Sequence, residues 1–243
     1  MKVIGLIGGM SWESSAEYYR IINEATKQRL GPLYSAKSLM YTVNFNEIEQ
    51  LQHSGRWDEA GLILVDAAKR LERGGADCLV LCTNTMHKLA PAIEAAVQLP
   101  FIHIADATAE KIRARGIKRI GLLGTAFTME QDFYKGRLSD KFGLEVIVPE
   151  QADRAVIHRV IYDELCQGKI EATSKAEYLR IMADMVARGA EGIILGCTEI
   201  MLLVSQQDAS VPVFDTTYLH AEAAVAFALE PLTLGQHRLE AKV

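Results

Sequence analysis

A chain of 243 residues, 49% hydrophobic and 23% charged with only 6 prolines, has the make-up of a globular protein with one large core or two modest ones. Its net charge of -5, with no cluster of Lys and Arg, speaks against a nucleic-acid partner, which needs a concentrated basic surface. No run approaches the ~20 apolar residues that span a bilayer, Met1-Lys2-Val3-Ile4-Gly5 has no signal-peptide features, and the cysteines at 78, 82, 166 and 197 lack paired CxxC spacing, so a cytoplasmic protein with free thiols is expected.

Short apolar runs bounded by Gly, Pro or Asn alternate with amphipathic stretches, the pattern of βα units on a mostly parallel sheet. The first strand, near 2–8, enters Gly8-Gly9-Met10-Ser11, a turn that opens a helix. Ser14 and Glu17 there have capping-box spacing, and the backbone N–H groups of the turn suit an anion. The turn has neither the third glycine of a dinucleotide fingerprint nor the Gly-Lys-Ser/Thr of a P-loop. After a strand near 36–44, a helix is predicted over 57–73: Ile63, Ala67 and Leu71 share a face with Leu64 and Ala68, and Gly74-Gly75 stops the run. A strand near 77–82 closes on Cys82-Thr83-Asn84-Thr85, with His87 reading as a cap or surface residue of the next helix. Further strands are predicted near 100–104, 119–124, 143–148, 191–196 and 212–215. From Pro231 to Val243 the apolar periodicity is lost, which marks a tail.

Three pairs of segments repeat. Lys2 to Gly8 answers Lys118 to Gly124, Gly75-Ala76-Asp77 to Thr85 answers Gly189-Ala190-Glu191 to Glu199, and Leu99-Pro100-Phe101-Ile102-His103 answers Val211-Pro212-Val213-Phe214-Asp215. The repeat implies two similar Rossmann-like α/β domains, 1–98 plus 213–230 around 99–212, with the ligand expected in the cleft between them.

The chemistry-bearing residues stand at the ends of the repeated strands. Cys197, followed by Thr198, Glu199 and a short helix, is expected to have a lowered pKa as a thiol at a helix N-terminus. The repeat sets Gly196 against Cys82 and Cys197 against Thr83. One step along a strand turns a side chain to the opposite face, so Thr83 mirrors Cys197, with Cys82 the alternative and Cys78 a core residue. His103 and Asp215, at matching places, read as supports of the cleft. There is no metal-ligand spacing and no Gly-x-Ser-x-Gly elbow.

Gly8-Gly9-Met10-Ser11, Cys82-Thr83-Asn84-Thr85-Met86-His87 and Gly196-Cys197-Thr198-Glu199 together resemble the three signatures of the aspartate/glutamate racemases, over about residues 1–230. The resemblance implies cofactor-independent racemisation of an amino acid, two pseudo-symmetric domains and a homodimer. It also implies a reactive group on each side of the substrate α-carbon, one taking the proton as thiolate and the other returning one as thiol. Cys197 matches one such cysteine, whereas Thr83 stands where the other is usual. Asn84, Thr85 and Thr198, with backbone amides near Met10, match positions that would hold the substrate carboxylate, and Glu199 would receive the ammonium. Gln52 and Cys166 lie in neighbourhoods where aspartate-specific members resemble one another in carrying an Arg and a Lys, so uncharged side chains are expected to compete with acidic ones. Two other readings stand beside this one: a one-cysteine isomerase or decarboxylase of small dicarboxylates, and a non-catalytic protein whose cleft closes on a small anion. A reactive thiol in a polar turn weighs against the second.

Overall fold

The computed structural model describes residues 1–231, and the tail expected beyond Pro231 lies outside them. Its strands are β1 Ile4–Gly8, β2 Ser38–Thr42, β3 Cys78–Leu81, β4 Phe101–Ile102, β5 Arg119–Gly124, β6 Glu145–Ile147, β7 Ile193–Gly196 and β8 Val213–Asp215. The helices are α1 Trp12–Leu30, α2 Phe45–His53, α3 Trp57–Arg73, α4 Ala90–Ala96, α5 Ile104–Ala114, α6 Ala126–Glu130, α7 Asp132–Gly136, α8 Gln151–Asp163, α9 Ala172–Ala187 and α10 Thr216–Leu229. The strands form two all-parallel sheets in the same order, β2-β1-β3-β4 and β6-β5-β7-β8, so the sequence repeat is a repeat of whole lobes.

The repeated acidic residue ahead of the third strand of each lobe has a structural task. Asp77 accepts the Val3 N–H at 2.6 Å and Glu191 accepts the Lys118 N–H at 2.7 Å, each stitching the start of one buried strand to its neighbour. β3 and β7 are themselves wholly buried, which is why they read as unbroken apolar runs. Helix α3 spans the predicted residues and buries Ala60, Leu64, Ala67, Ala68 and Leu71 on one face.

The fold departs from the sequence expectation in two places. Helix α1 is capped by Ser11, whose side chain accepts the Ser14 N–H at 3.3 Å, and Glu17 instead pairs with Arg20 at 2.7 Å. The helix starts a turn early because Gly9, at φ 99°, reverses the chain at once, in a place where a Cβ would collide with the Val43 backbone. The second correction concerns the strands of the third repeat, which the sequence reading puts one lobe too far along. β4 pairs with β3 and β8 pairs with β7, so 101–102 close the first sheet and 213–215 close the second. Both strands are drawn there by backbone pairing that begins at the preceding proline: Pro100 and Pro212 accept from Leu79 and Ile193, each at 2.9 Å.

The chain therefore crosses between lobes at two helix caps. His103 accepts the Ala105 N–H as N-cap of α5, whose Ile104, Ala105, Ala109 and Ile112 join the core of the second lobe. Asp215 likewise caps α10, whose Ala221, Ala224, Val225 and Ala228 pack with Ile4, Leu6, Tyr18 and Ile22 of the first lobe. The matching residues His103 and Asp215, expected to support the cleft, are the caps from which the two crossover helices start, and neither lines the pocket.

Candidate active site

The carboxyl ends of β3 and β7 and the turn after β1 open onto one pocket shared by both lobes. Met10, Gln52, Thr83, Asn84 and Thr85 line it from the first lobe, and Cys197, Thr198 and Glu199 from the second. These are the residues that the sequence assigned to catalysis and substrate binding, and Cys166, paired with Gln52 in that reading, joins them. Phe45, Thr125, Ile161, Tyr162, Cys166 and Gly196 complete the lining. Of the residues not anticipated, only Thr125 carried a signal, since it follows the Gly124 that mirrors Gly8; Phe45, Ile161 and Tyr162 come from helices without a motif.

Thr83, and not Cys82, faces the pocket. Cys82 is fully buried among Tyr18, Ile22 and Ala221 under α1 and α10, and burial pushes its thiol well above the ordinary range. Cys78 packs in the same cluster. The alternation of side chains along β3 separates the two neighbours.

Cys197 sits differently from the expectation. Its Sγ donates to Glu199 Oε2 at 3.0 Å, and burial first, then the Glu199 charge, hold the thiol well above its ordinary pKa. The expected lowering required a helix after the strand, but the chain there makes only one 3-10 turn, Ile200–Leu202, and the Glu199 carboxylate is bound to the thiol. The resting group is therefore a thiol hydrogen-bonded to an acceptor. Glu199 is tied on both oxygens: Thr198 Oγ1 donates to Oε2 at 2.8 Å and Ser11 Oγ to Oε1 at 2.8 Å, the latter across the lobes. The glycine turn is correspondingly less open to an anion than its sequence suggested, because the Gly9 N–H is already given to Ser15 Oγ at 2.8 Å.

Asn84 presents an acceptor. Thr216 Oγ1 donates its one proton to Leu195 O at 2.7 Å, so its contact with Asn84 Nδ2 at 3.0 Å is accepted from the amide. Asn84 Oδ1 is then left buried without a partner. That atom complements an ammonium rather than the carboxylate expected of Asn84. Donors for a carboxylate are hydroxyls: Thr85 Oγ1 lies 3.0 Å from Thr125 Oγ1, which lies 3.2 Å from Thr128 Oγ1, a cluster joining the two lobes.

The far end of the pocket is uncharged. Gln52 Nε2 donates to Met86 Sδ at 2.7 Å, Tyr162 Oη donates to Gln52 Oε1 at 3.5 Å, and burial raises the Cys166 thiol. Among the described residues no Lys, Arg or His lines the pocket. Arg56 is paired with Glu59 and Lys169 with Gln167, both away from it. Above Gln52, edge-on aromatic contacts bridge the lobes, His53 to Tyr162 at 5.5 Å and Trp57 to Phe127 at 5.4 Å between centroids. His87, expected as a cap or surface residue, is buried beneath the Thr83 turn. Among the described residues no three His, Cys, Asp or Glu side chains are gathered as a metal set, and no helix is long and apolar enough to cross a membrane.

Comparison with known proteins places these features. A family model described as Asp/Glu/Hydantoin racemase matches residues 7–224. A crystal structure of a putative Asp/Glu racemase from Yersinia pestis is 57% identical, covers 95% of this chain and all (100%) of its own, and superposes with a TM-score of 0.89. That of an aspartate racemase homologue from Pyrococcus horikoshii OT3 is 37% identical over the same shares, 95% and 100%, with a TM-score of 0.83. The broad specificity amino-acid racemase RacX of Bacillus subtilis is 22% identical over 92% of this chain and 97% of its own length. The duplicated sheet, the pocket at the strand ends and these matches together make the chain a member of the Asp/Glu/Hydantoin racemase family, an isomerase in class.

Proposed function

We propose that the protein racemises amino acids without a cofactor, with Cys197 and Thr83 serving opposite faces of the substrate α-carbon. The observation that carries this reading is the Cys197 thiol held at 3.0 Å from the Glu199 carboxylate in a pocket that Thr83 also lines. The substrate ammonium lies between two acceptors, Glu199 and the unpartnered Asn84 Oδ1. Its carboxylate is met by the hydroxyls of Thr85 and Thr125, whereas Thr198, expected to join them, gives its one proton to Glu199.

On binding, the Cys197 proton passes to Glu199, and the thiolate takes the α-proton. The carbanion, fixed by donors already in place, is reprotonated either by Cys197, with retention, or on its other face. There Thr83 relays a proton inward from solvent, and Glu199 returns its own to solvent, which restores the starting state. A hydroxyl is too weakly acidic to act as a resting base without an activating partner. Exchange is therefore fast from the enantiomer that presents its α-proton to Cys197 and slow from its mirror image.

With no cation among the described residues that line the pocket, a second substrate carboxylate gains no ion pair from them, so uncharged side chains are accepted beside acidic ones. The same reading takes the enzyme to be a cytoplasmic homodimer, which sedimentation of the purified protein checks for assembly. The decisive experiment screens amino acids in heavy water for deuterium at the α-carbon, with Cys197→Ala alongside. Cys197→Ala is expected to lose exchange from both enantiomers, and more than a few per cent residual exchange on both removes Cys197 from the mechanism.

A further inference from the structure

Both crossovers between the lobes are tied to the Thr83 turn, by different means. At the first, His87 Nδ1 is 2.7 Å from Thr83 O, an atom that only accepts, so Nδ1 carries the proton. The other nitrogen, Nε2, therefore accepts the Ile104 N–H at 3.2 Å, at the start of α5. At the second, the first residue of α10, fully buried Thr216, does the work with its hydroxyl. It accepts from Asn84 in the first lobe at 3.0 Å and donates to Leu195 O in the second at 2.7 Å.

Leu195 is two residues before Cys197 on β7, and Asn84 directly follows Thr83. One hydroxyl therefore connects the backbone that carries one reactive group to the turn that carries the other. The repeat sets Ile104 at the matching place, where only a backbone N–H is available and the imidazole of His87 makes the connection. Thr216 does not itself line the pocket, so its hydroxyl acts through Asn84 and Leu195.

We propose that Thr216 is a positioning residue that sets the separation between Thr83 and Cys197 and orients Asn84 Oδ1 into the pocket. This rests on the reading of Thr83 and Cys197 as the two faces of the site. Return of a proton by Cys197 needs only one of those groups in place, whereas inversion needs both at once. Loss of the Thr216 hydroxyl therefore lowers inversion more than exchange with retention. A misplacement of about 1 Å can cost ~100-fold in rate, so a fall of about tenfold or more in the ratio of the two is expected.

The test follows one enantiomer in heavy water, reading deuterium gain by NMR and inversion by chiral chromatography, for the full chain and for Thr216→Val and Thr216→Ser. Thr216→Val keeps the shape and removes both hydrogen bonds; it should lower the inversion-to-exchange ratio about tenfold or more, and Thr216→Ser should restore it. A Thr216→Val protein that loses both rates in proportion, or keeps both, overturns the proposal, since a merely structural role moves them together. If Thr216→Val does not fold, Thr216→Ala is compared with Thr216→Ser under the same criterion. A wild-type protein that exchanges no amino acid at all overturns the two-faced reading instead, and this inference with it.

Discussion

Beneath the Thr83 turn three imidazoles are packed where burial disfavours a proton on each, and that makes the protein sensitive to mild acid. His87 and His103 lie 4.5 Å apart and His87 and His220 5.7 Å apart, centroid to centroid. His220 is bound by Tyr18 Oη at 2.8 Å and Ile102 O at 2.6 Å. Burial, then mutual repulsion and the nearby Arg137, drive His87 well below its usual value; burial, then Arg137, takes His103 down to about 2; and burial takes His220 to about 4. In the unfolded chain all three titrate near ~6.5. Below that pH the unfolded state binds protons that the native state refuses, so stability is full above ~6.5 and falls as the pH drops. Each refused proton gives about 1.4 kcal/mol per pH unit, and the three together about 4 kcal/mol per unit near pH 5, a slope that eases toward pH 4 as His220 takes its proton. For a molecule stabilised by roughly 5–15 kcal/mol this leaves little margin near pH 4.5. Denaturant unfolding at half-unit steps of pH measures the slope. His103→Asn, which keeps an N-cap acceptor for α5 and removes one imidazole, should cut the slope by about a third. A slope near pH 5 worth one proton or fewer, or one unchanged in His103→Asn, would refute the reasoning. Carboxylates with depressed values, such as Asp106 beside Arg137 and Lys141, act in the same direction but only at lower pH.

Three shorter predictions concern the pocket. Cys82→Ala should leave exchange from both enantiomers nearly unchanged while costing about 1–2 kcal/mol by denaturant unfolding, as a small core truncation does; loss of one direction of exchange would make Cys82 the second base. Glu199→Gln removes the base that takes the Cys197 proton, so exchange from both enantiomers should fall and KM for the amino acid increase, while the residual exchange rises at lower pH because the charge that helps hold the thiol proton is gone. An unmoved profile with an unchanged KM would separate Glu199 from both the thiol and the ammonium. In competition assays uncharged amino acids should compete with aspartate and glutamate, and exclusive use of the acidic pair would mean that a backbone nest or a moved Arg56 supplies the missing charge.

Much of the fold and the pocket is legible in the sequence. Apolar runs between turn residues place all eight described strands, including β2, β4 and β6, which are only partly buried. The two-residue period of a strand sets Thr83 rather than Cys82 toward the pocket. The features that escape depend on partners remote in sequence. Phe101-Ile102 looks the same whether it closes one sheet or opens the next, and only its pairing with Leu79 and Val80 decides. The neighbours of Cys197 along the chain suggest an acidic thiol, yet burial and the geometry of the Glu199 side chain set the opposite direction. Thr216 and His87 belong to no motif that shows their task, because one spans two lobes and the other links a carbonyl and an amide far apart along the chain.

The central claim is that one face of the substrate meets a thiol and the other a hydroxyl. The most direct measurement is the initial rate of α-deuterium incorporation in heavy water from each enantiomer of the same amino acid, for the wild-type protein and for Thr83→Cys. The account predicts rapid incorporation from the enantiomer facing Cys197, slow incorporation from its mirror image, and a narrowed difference in Thr83→Cys. Equal initial rates from both enantiomers in the wild-type protein, unchanged by Thr83→Cys, would contradict it.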